Sequence, residues 1–259
     1  MKKFKWVFMP AMLVFAFPGL AWTYSYETAL ADFNAGRFDQ AVVEGRRLET
    51  SAGFTLALRA ELVLIQYLYQ PETRMTAIER AVKDGEHALL LDPDNSEAKL
   101  NLGIIVGLRG KFKRSISDGK RSRELIEAAL EAMPDNDWAL GAMAGWNAEI
   151  IFQAGRIPGR LIFGARRERA LQLFQEALEK GPDNLTIRAA YIRALLKLYP
   201  EAMKRDIDEQ MALILNATPA NALEQIMQRQ MKVIKAAMEA GDEEKLALYL
   251  DEQMALELD

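Results

Sequence analysis

The sequence predicts an all-α protein made of antiparallel helix pairs stacked into a solenoid. Three observations predict it. "ALLLDPDN" (88–95), "ALEAMPDN" (129–136) and "ALEKGPDN" (177–184) share one shape, an alanine five residues before a proline and then Pro-Asp-Asn. Small or apolar residues recur with spacing 4, 3, 5 before each proline: Ala81, Gly85 and Ala88, then Ser122, Ile126 and Ala129, then Ala170, Phe174 and Ala177. Half of the 259 residues are apolar, which is enough for a continuous core.

Each element of the unit has a physical reason. The 4-then-3 step lays side chains along one helical face. Small residues on that face admit a neighbouring helix closely, and proline then ends the helix. Asn95, Asn136 and Asn184 are good N-caps for the helix that follows. Nine residues after each proline stand Leu102, Met143 and Tyr191, on that next helix. Turns are expected at "AGRF" (35–38), "RGKF" (109–112) and "AGRI" (154–157). A worn copy of the spacing, Ala41, Gly45, Leu48 and Gly53, precedes the other three. Such a pair buries its apolar face only by stacking on the next pair.

The first 21 residues stand apart from this pattern. "MKKFK" supplies three lysines, "WVFMPAMLVFAF" an apolar run, and "GLA" a small-x-small site ending at Ala21. That order predicts a secretory signal peptide cleaved after Ala21, with a retained anchor as the alternative. Cleavage would move the formal charge from −4 to −7 by removing Lys2, Lys3 and Lys5. The expected localisation is therefore secreted and periplasmic. The chain has no cysteine, which excludes a disulfide framework, a thiolate metal site and a cysteine nucleophile.

The repeated unit resembles the tetratricopeptide repeat, whose period is about 34 residues. The intervals between the prolines, 41 and 48 residues, exceed that period by whole helical turns. Seven residues are inserted between Gly110 and Ser122, and ten more precede Ala170 beyond a lengthened first helix. In "AVKDGEHALLLDPDNSEAKLNLGIIVGLRGKFKRSI" and "GRIPGRLIFGARRERALQLFQEALEKGPDN" the chain looks like the regulator-of-microtubule-dynamics proteins and their bacterial relatives. That resemblance spans about residues 77–198. It implies an all-helical tetratricopeptide-like solenoid with two enlarged repeats and no enzymatic activity. Microtubule binding does not carry over to an exported bacterial protein.

Residues 22–199 are thus read as the repeat array and 200–259 as a C-terminal helical cap. In the cap, "PEAMKRDIDEQMALILN" reads as one helix. The next starts with Thr218 as N-cap and Pro219 at its first position, and stops at Gly241. "DEEKLALYLDEQMALEL" closes the chain.

Catalytic chemistry is sparse. His87 is the only histidine and has no second histidine or cysteine to work with, so it reads as a partly exposed structural residue. No phosphate loop and no HExxH motif occurs. No enzyme, cofactor, metal or nucleic-acid role is expected.

Binding residues are more visible. First helices are expected to line a concave groove, with Leu100, Ile104, Leu108, Trp138, Gly141, Gly145, Glu149, Arg193 and Lys197 as candidate contacts for a protein or peptide partner. Gly141 and Gly145 either leave room for that guest or admit a neighbouring helix. The two insertions hold 11 of the 33 basic residues. Lys111, Lys113, Arg114, Lys120, Arg121 and Arg123 lie in the first, and Arg156, Arg160, Arg166 and Arg167 in the second. They are either solubilising charge or an anion-facing surface. "IPGRLIF" adds Ile157, Leu161, Ile162 and Phe163, which are expected to pack on their own repeat. The expected function is a non-catalytic protein-binding scaffold. Alternatives are a small-molecule component of a periplasmic solute transporter, or an envelope protein in peripheral contact with anionic lipid or cell wall.

Overall fold

A computed structural model describes residues 25–251, and the expected signal segment lies outside them. Among the described residues the regular structure is helical throughout. Antiparallel pairs follow one another: α1 (Tyr26–Asn34) with α2 (Phe38–Arg47), and α3 (Ser51–Val63) with α4 (Pro71–Leu91). A π-helical turn at Leu64–Leu68 extends α3. Next come α5 (Ser96–Lys113) with α6 (Ile116–Ala132). The fourth pair is α7 (Asp137–Ala154) with α9 (Arg167–Lys180). Between these two lie the short α8 (Arg156–Pro158) and a π-helical turn at Gly159–Phe163. The chain then forms α10 (Leu185–Leu198), α11 (Lys204–Asn216), α12 (Ala222–Ala240) and α13 (Glu243–Leu250).

The repeated sequence signals do what their chemistry requires. Asn95, Asn136 and Asn184 cap α5, α7 and α10 through side-chain oxygens that accept from backbone N–H groups. Ala81, Gly85 and Ala88 are buried on α4, as are Ser122, Ile126 and Ala129 on α6 and Ala170, Phe174 and Ala177 on α9. At Gly85 a side chain would fall 2.9 Å from Leu102 of α5, so glycine is what lets these helices meet. Stacking is also in register at the helix ends. The Asn95 amide donates to Ser51 Oγ (2.8 Å) and the Asn184 amide to Asp137 Oδ2 (2.9 Å), joining the starts of successive first helices.

Four boundaries differ from expectation, one of them at α11, which starts at Lys204 and not at Pro200. "RGKF" lies inside α5, because Gly110 is buried against Asp118 and Gly119 of α6 and serves helix contact, not chain reversal. The reversal comes at Arg114, which takes the left-handed conformation (φ 53°), and Ser115 then caps α6. The seven inserted residues therefore lengthen two helices. Helix α12 begins at Ala222, capped by Asn221, rather than at Pro219. Glu224 explains this: its carboxylate accepts from the Ala220 N–H (2.7 Å) while Asn221 accepts from the Glu224 N–H (3.0 Å). Helix α11 packs on α10 as the second member of a fifth pair, so the 199/200 boundary falls within a pair.

Candidate functional site

The first helices of the pairs, α1, α3, α5, α7 and α10, line the inner face. That face is not an open groove. Helix α12 packs against α10 and reaches α1, touching first helices from both ends of the array, and α13 also packs on α10. Leu223, Ile226, Met227 and Met231 of α12 belong to the same apolar core as Leu100, Leu140 and Leu196. Arg193 of α10 donates to Gln230 Oε1 of α12 (3.0 Å) and to the Tyr67 hydroxyl at the end of α3 (3.4 Å). The apolar inner face recruits the chain's own amphipathic C-terminal helices.

The nine expected groove residues divide accordingly. Leu100 is buried, and Ile104 and Leu108 are half-buried against the core. Glu149, Lys197 and Lys111 form one cluster, with Glu149 2.7 Å from Lys197 Nζ and 2.9 Å from Lys111 Nζ. Lys111 Nζ also donates to the backbone oxygen of Asp251, just beyond α13 (3.3 Å). Burial pushes the Glu149 carboxyl up, but Lys197 and Lys111 together pull it down to about 2. Trp138 is exposed near the start of α7, the end of that helix opposite to Glu149. The two glycines part company. A side chain at Gly141 would meet Ile187 of α10 at 3.3 Å, whereas one at Gly145 would meet nothing within 4 Å.

A cavity lies instead among α6, α7 and α9. The connection 155–166 holds α9 away from α6 and leaves a cleft of about 550 Å³ between them. Three helical faces at i, i+3 or i+4 spacing converge on it: Arg123, Glu127 and Leu130 from α6, Met143, Trp146 and Asn147 from α7, and Arg169, Gln172 and Leu173 from α9. The floor is buried and mostly apolar, formed by Met143, Trp146 and Leu173. Its polar atoms are fixed. Trp146 Nε1 donates to the Gly119 carbonyl (3.0 Å), and the Asn147 carbonyl oxygen accepts from the Arg166 N–H (3.0 Å). At the mouth Arg123 lies over Trp146 (5.7 Å) and donates to the Phe163 carbonyl (2.8 Å). Arg166 and Arg169 are exposed beside it, Arg169 paired with Glu176 (3.4 Å), and Glu127 and Glu168 stand at the same rim. Such a site can take a group with an apolar body and a negative charge. The sequence signal for it was the Met143–Trp146–Asn147 spacing together with the ten-residue insertion, but only the fold brings α6 and α9 to its walls.

The ten expected basic-surface residues also divide. Lys111 is turned inward, so it is not part of a basic surface. Lys113 pairs with Glu79 (2.5 Å), Arg121 with Glu86 (2.9 Å) and Arg123 with Glu127 (2.7 Å). Arg167 pairs with Glu168 and stacks over Tyr199 (4.7 Å). Arg114, Lys120, Arg156, Arg160 and Arg166 are exposed and form no ion pair among the described residues. His87 is exposed and stacks on Phe54, with ring centroids 4.3 Å apart. Among the described residues no cluster of acidic or histidine side chains is placed to hold a metal ion.

No protein-family model matches the chain, and neither does any curated protein. Among solved structures it is similar to a thermophilic tetratricopeptide-repeat protein of Thermus thermophilus. The two are 21% identical over 66% of this chain and 79% of that one, with a TM-score of 0.49.

Proposed function

We propose that this chain is an exported, non-catalytic scaffold that holds an acidic, partly apolar segment of a partner protein in the cleft between α6 and α9. The observation that carries the reading is the convergence of three helix faces on a buried Trp146–Met143–Leu173 floor beneath arginines. A preformed cleft between two rigid helices costs little ordering on binding, and a desolvated aromatic floor is where binding energy concentrates. Arg166 has no ion pair among the described residues, so it can meet a ligand carboxylate without first giving up a partner. The resemblance of residues 77–198 to regulator-of-microtubule-dynamics relatives supports the scaffold reading.

A small-molecule carrier calls for a more enclosed apolar cavity. Here exposed Glu168, Arg169 and Gln172 leave the cleft open along α9, which suits a peptide better. Export rests on the order of lysines, apolar run and "GLA", and the mature chain is expected to begin at Trp22.

The test is affinity capture from envelope extract with the wild-type chain and an Arg166→Glu/Arg169→Glu variant. Both side chains are exposed, so the fold should be unchanged by circular dichroism. Recovery of the wild-type partner should fall about tenfold or more in the variant. Equal recovery, or no partner for either bait, would refute the cleft as the binding site.

A further inference from the structure

We infer that one edge of the solenoid, formed by the turns of the third and fourth pairs, docks on an anionic phospholipid bilayer. The exposed apolar tips and unpaired cations on which it rests do not line the cleft. Because the pairs stack in register, the ends of all first helices and the starts of their second helices share one edge. Contacts across neighbouring pairs confirm the alignment there: Lys113 reaches Glu79, and Phe163 packs on Gly119.

That edge exposes Ile157, Leu161 and Ile162, which were expected to pack, and Ile116 beside them. Ile157 is 71% exposed, Leu161 79%, Ile116 51% and Ile162 43%. Phe163 alone of the "IPGRLIF" apolar residues turns inward, against α6. It anchors the π-helical turn, and Arg123 holds the Phe163 carbonyl, so Leu161 and Ile162 project from a fixed support. Phe112 and Phe152 extend the apolar surface at the ends of α5 and α7.

Around these tips stand Arg114, Lys120, Arg156 and Arg160, exposed and without ion pairs among the described residues. The opposite edge carries the Pro-Asp-Asn turns and exposes Asp92, Asp94 and Asp183, with Asp135 paired to Lys180. The molecule therefore has a basic, apolar edge and an acidic one. A negatively charged surface attracts the first and repels the second, which fixes orientation before contact. Projecting aliphatic tips among Lys and Arg suit a soft interface that side chains can enter, with cations at the headgroups. Among the described residues no helix is long and apolar enough to cross a membrane, so attachment by this edge would be peripheral.

The absence of cysteine permits a direct test. Leu161 and Leu90 are both 79% exposed, but Leu90 lies near the acidic edge, at the end of α4. Leu161→Cys and, separately, Leu90→Cys in the full chain would each carry a polarity-sensitive fluorophore. They would be mixed with phosphatidylcholine vesicles with or without phosphatidylglycerol. The label at position 161 should shift to the blue only with phosphatidylglycerol, and the label at 90 should not respond. Apparent affinity should fall about tenfold or more in high salt, or when Arg114, Lys120, Arg156 and Arg160 are changed to Glu. The apolar run in the first 21 residues is common to every variant, so it cannot create these differences. No response at 161, an equal response on neutral vesicles, equal responses at 161 and 90, or a response that survives charge reversal would each overturn the inference.

Discussion

Two regions of this solenoid treat helix junctions in opposite ways. Between the first two pairs, α2 and α3 cross backbone to backbone. A side chain at Gly45 would fall 2.6 Å from the Gly53 carbonyl oxygen, and one at Gly53 2.5 Å from that of Gly45. Beside this crossing Glu61 of α3 is wholly buried, held by Arg46 of α2 and by Arg80 of α4. Arg46 also bonds Asp84 of α4, with Nε 2.9 Å from Oδ2. Between the third and fourth pairs, by contrast, the 155–166 connection keeps α6 and α9 apart and leaves the cleft. Where connections are short, backbones touch and charges are buried in networks. Where one is long, side-chain surface remains uncovered. The first region is built as support, and the second leaves uncovered the surface proposed here for binding.

The largest expected contrast is electrostatic. Glu61→Ala removes a wholly buried carboxylate shared by Arg46 and Arg80, whose own side chains are 27% and 48% exposed, and should cost about 3 kcal/mol. Glu127→Ala removes an exposed i,i+4 pair with Arg123 at the cleft and should cost less than about 1 kcal/mol. Urea unfolding of both variants measures this, and equal losses would break the comparison. Gly45→Ala should follow at about 2–3 kcal/mol, because the methyl meets a carbonyl oxygen and not a movable side chain.

Glu149→Gln should cost about 2 kcal/mol near neutral pH, since it leaves Lys197 with 7% side-chain exposure and a weakened partner. The sign with pH follows from the lowered carboxyl. Its stabilisation is complete above the ordinary value of 4.5 and is lost as pH falls toward about 2. The gap between wild type and variant should therefore close over that interval in acid titrations monitored by circular dichroism. The smallest effect has the opposite sign. Gly145→Ala should stabilise by about 0.5–1 kcal/mol, because mid-helix glycine is costly and nothing lies within 4 Å of the new methyl.

Local signals in the sequence carried most of the fold. The Pro-Asp-Asn punctuation, the asparagine caps and the small-residue spacing each act within a few residues, so Ala81, Asn136 and Ala177 could be placed without knowing what they touch. Sites that depend on distant partners were not legible. Lys111 and Arg114 look alike in a basic run, yet only the fold turns Lys111 toward Glu149 and leaves Arg114 in solvent. The inner face looks open when repeats are read one at a time. It is filled because α12 returns across it, a long-range contact that no periodicity encodes. Trp146 lies on a first helix, but its place at the cleft floor depends on a gap between two other helices.

The central claim, that the enlarged pairs are the working surface and the N-terminal pairs their support, is open to one direct measurement. A photoreactive side chain would be placed in intact cells at Gln172, exposed on the lip of the cleft, or at Gln40, exposed on α2. Cross-linking from position 172 should give a discrete adduct with a partner protein, and position 40 should give none. An adduct of equal yield from position 40, or no adduct from position 172, would contradict the account.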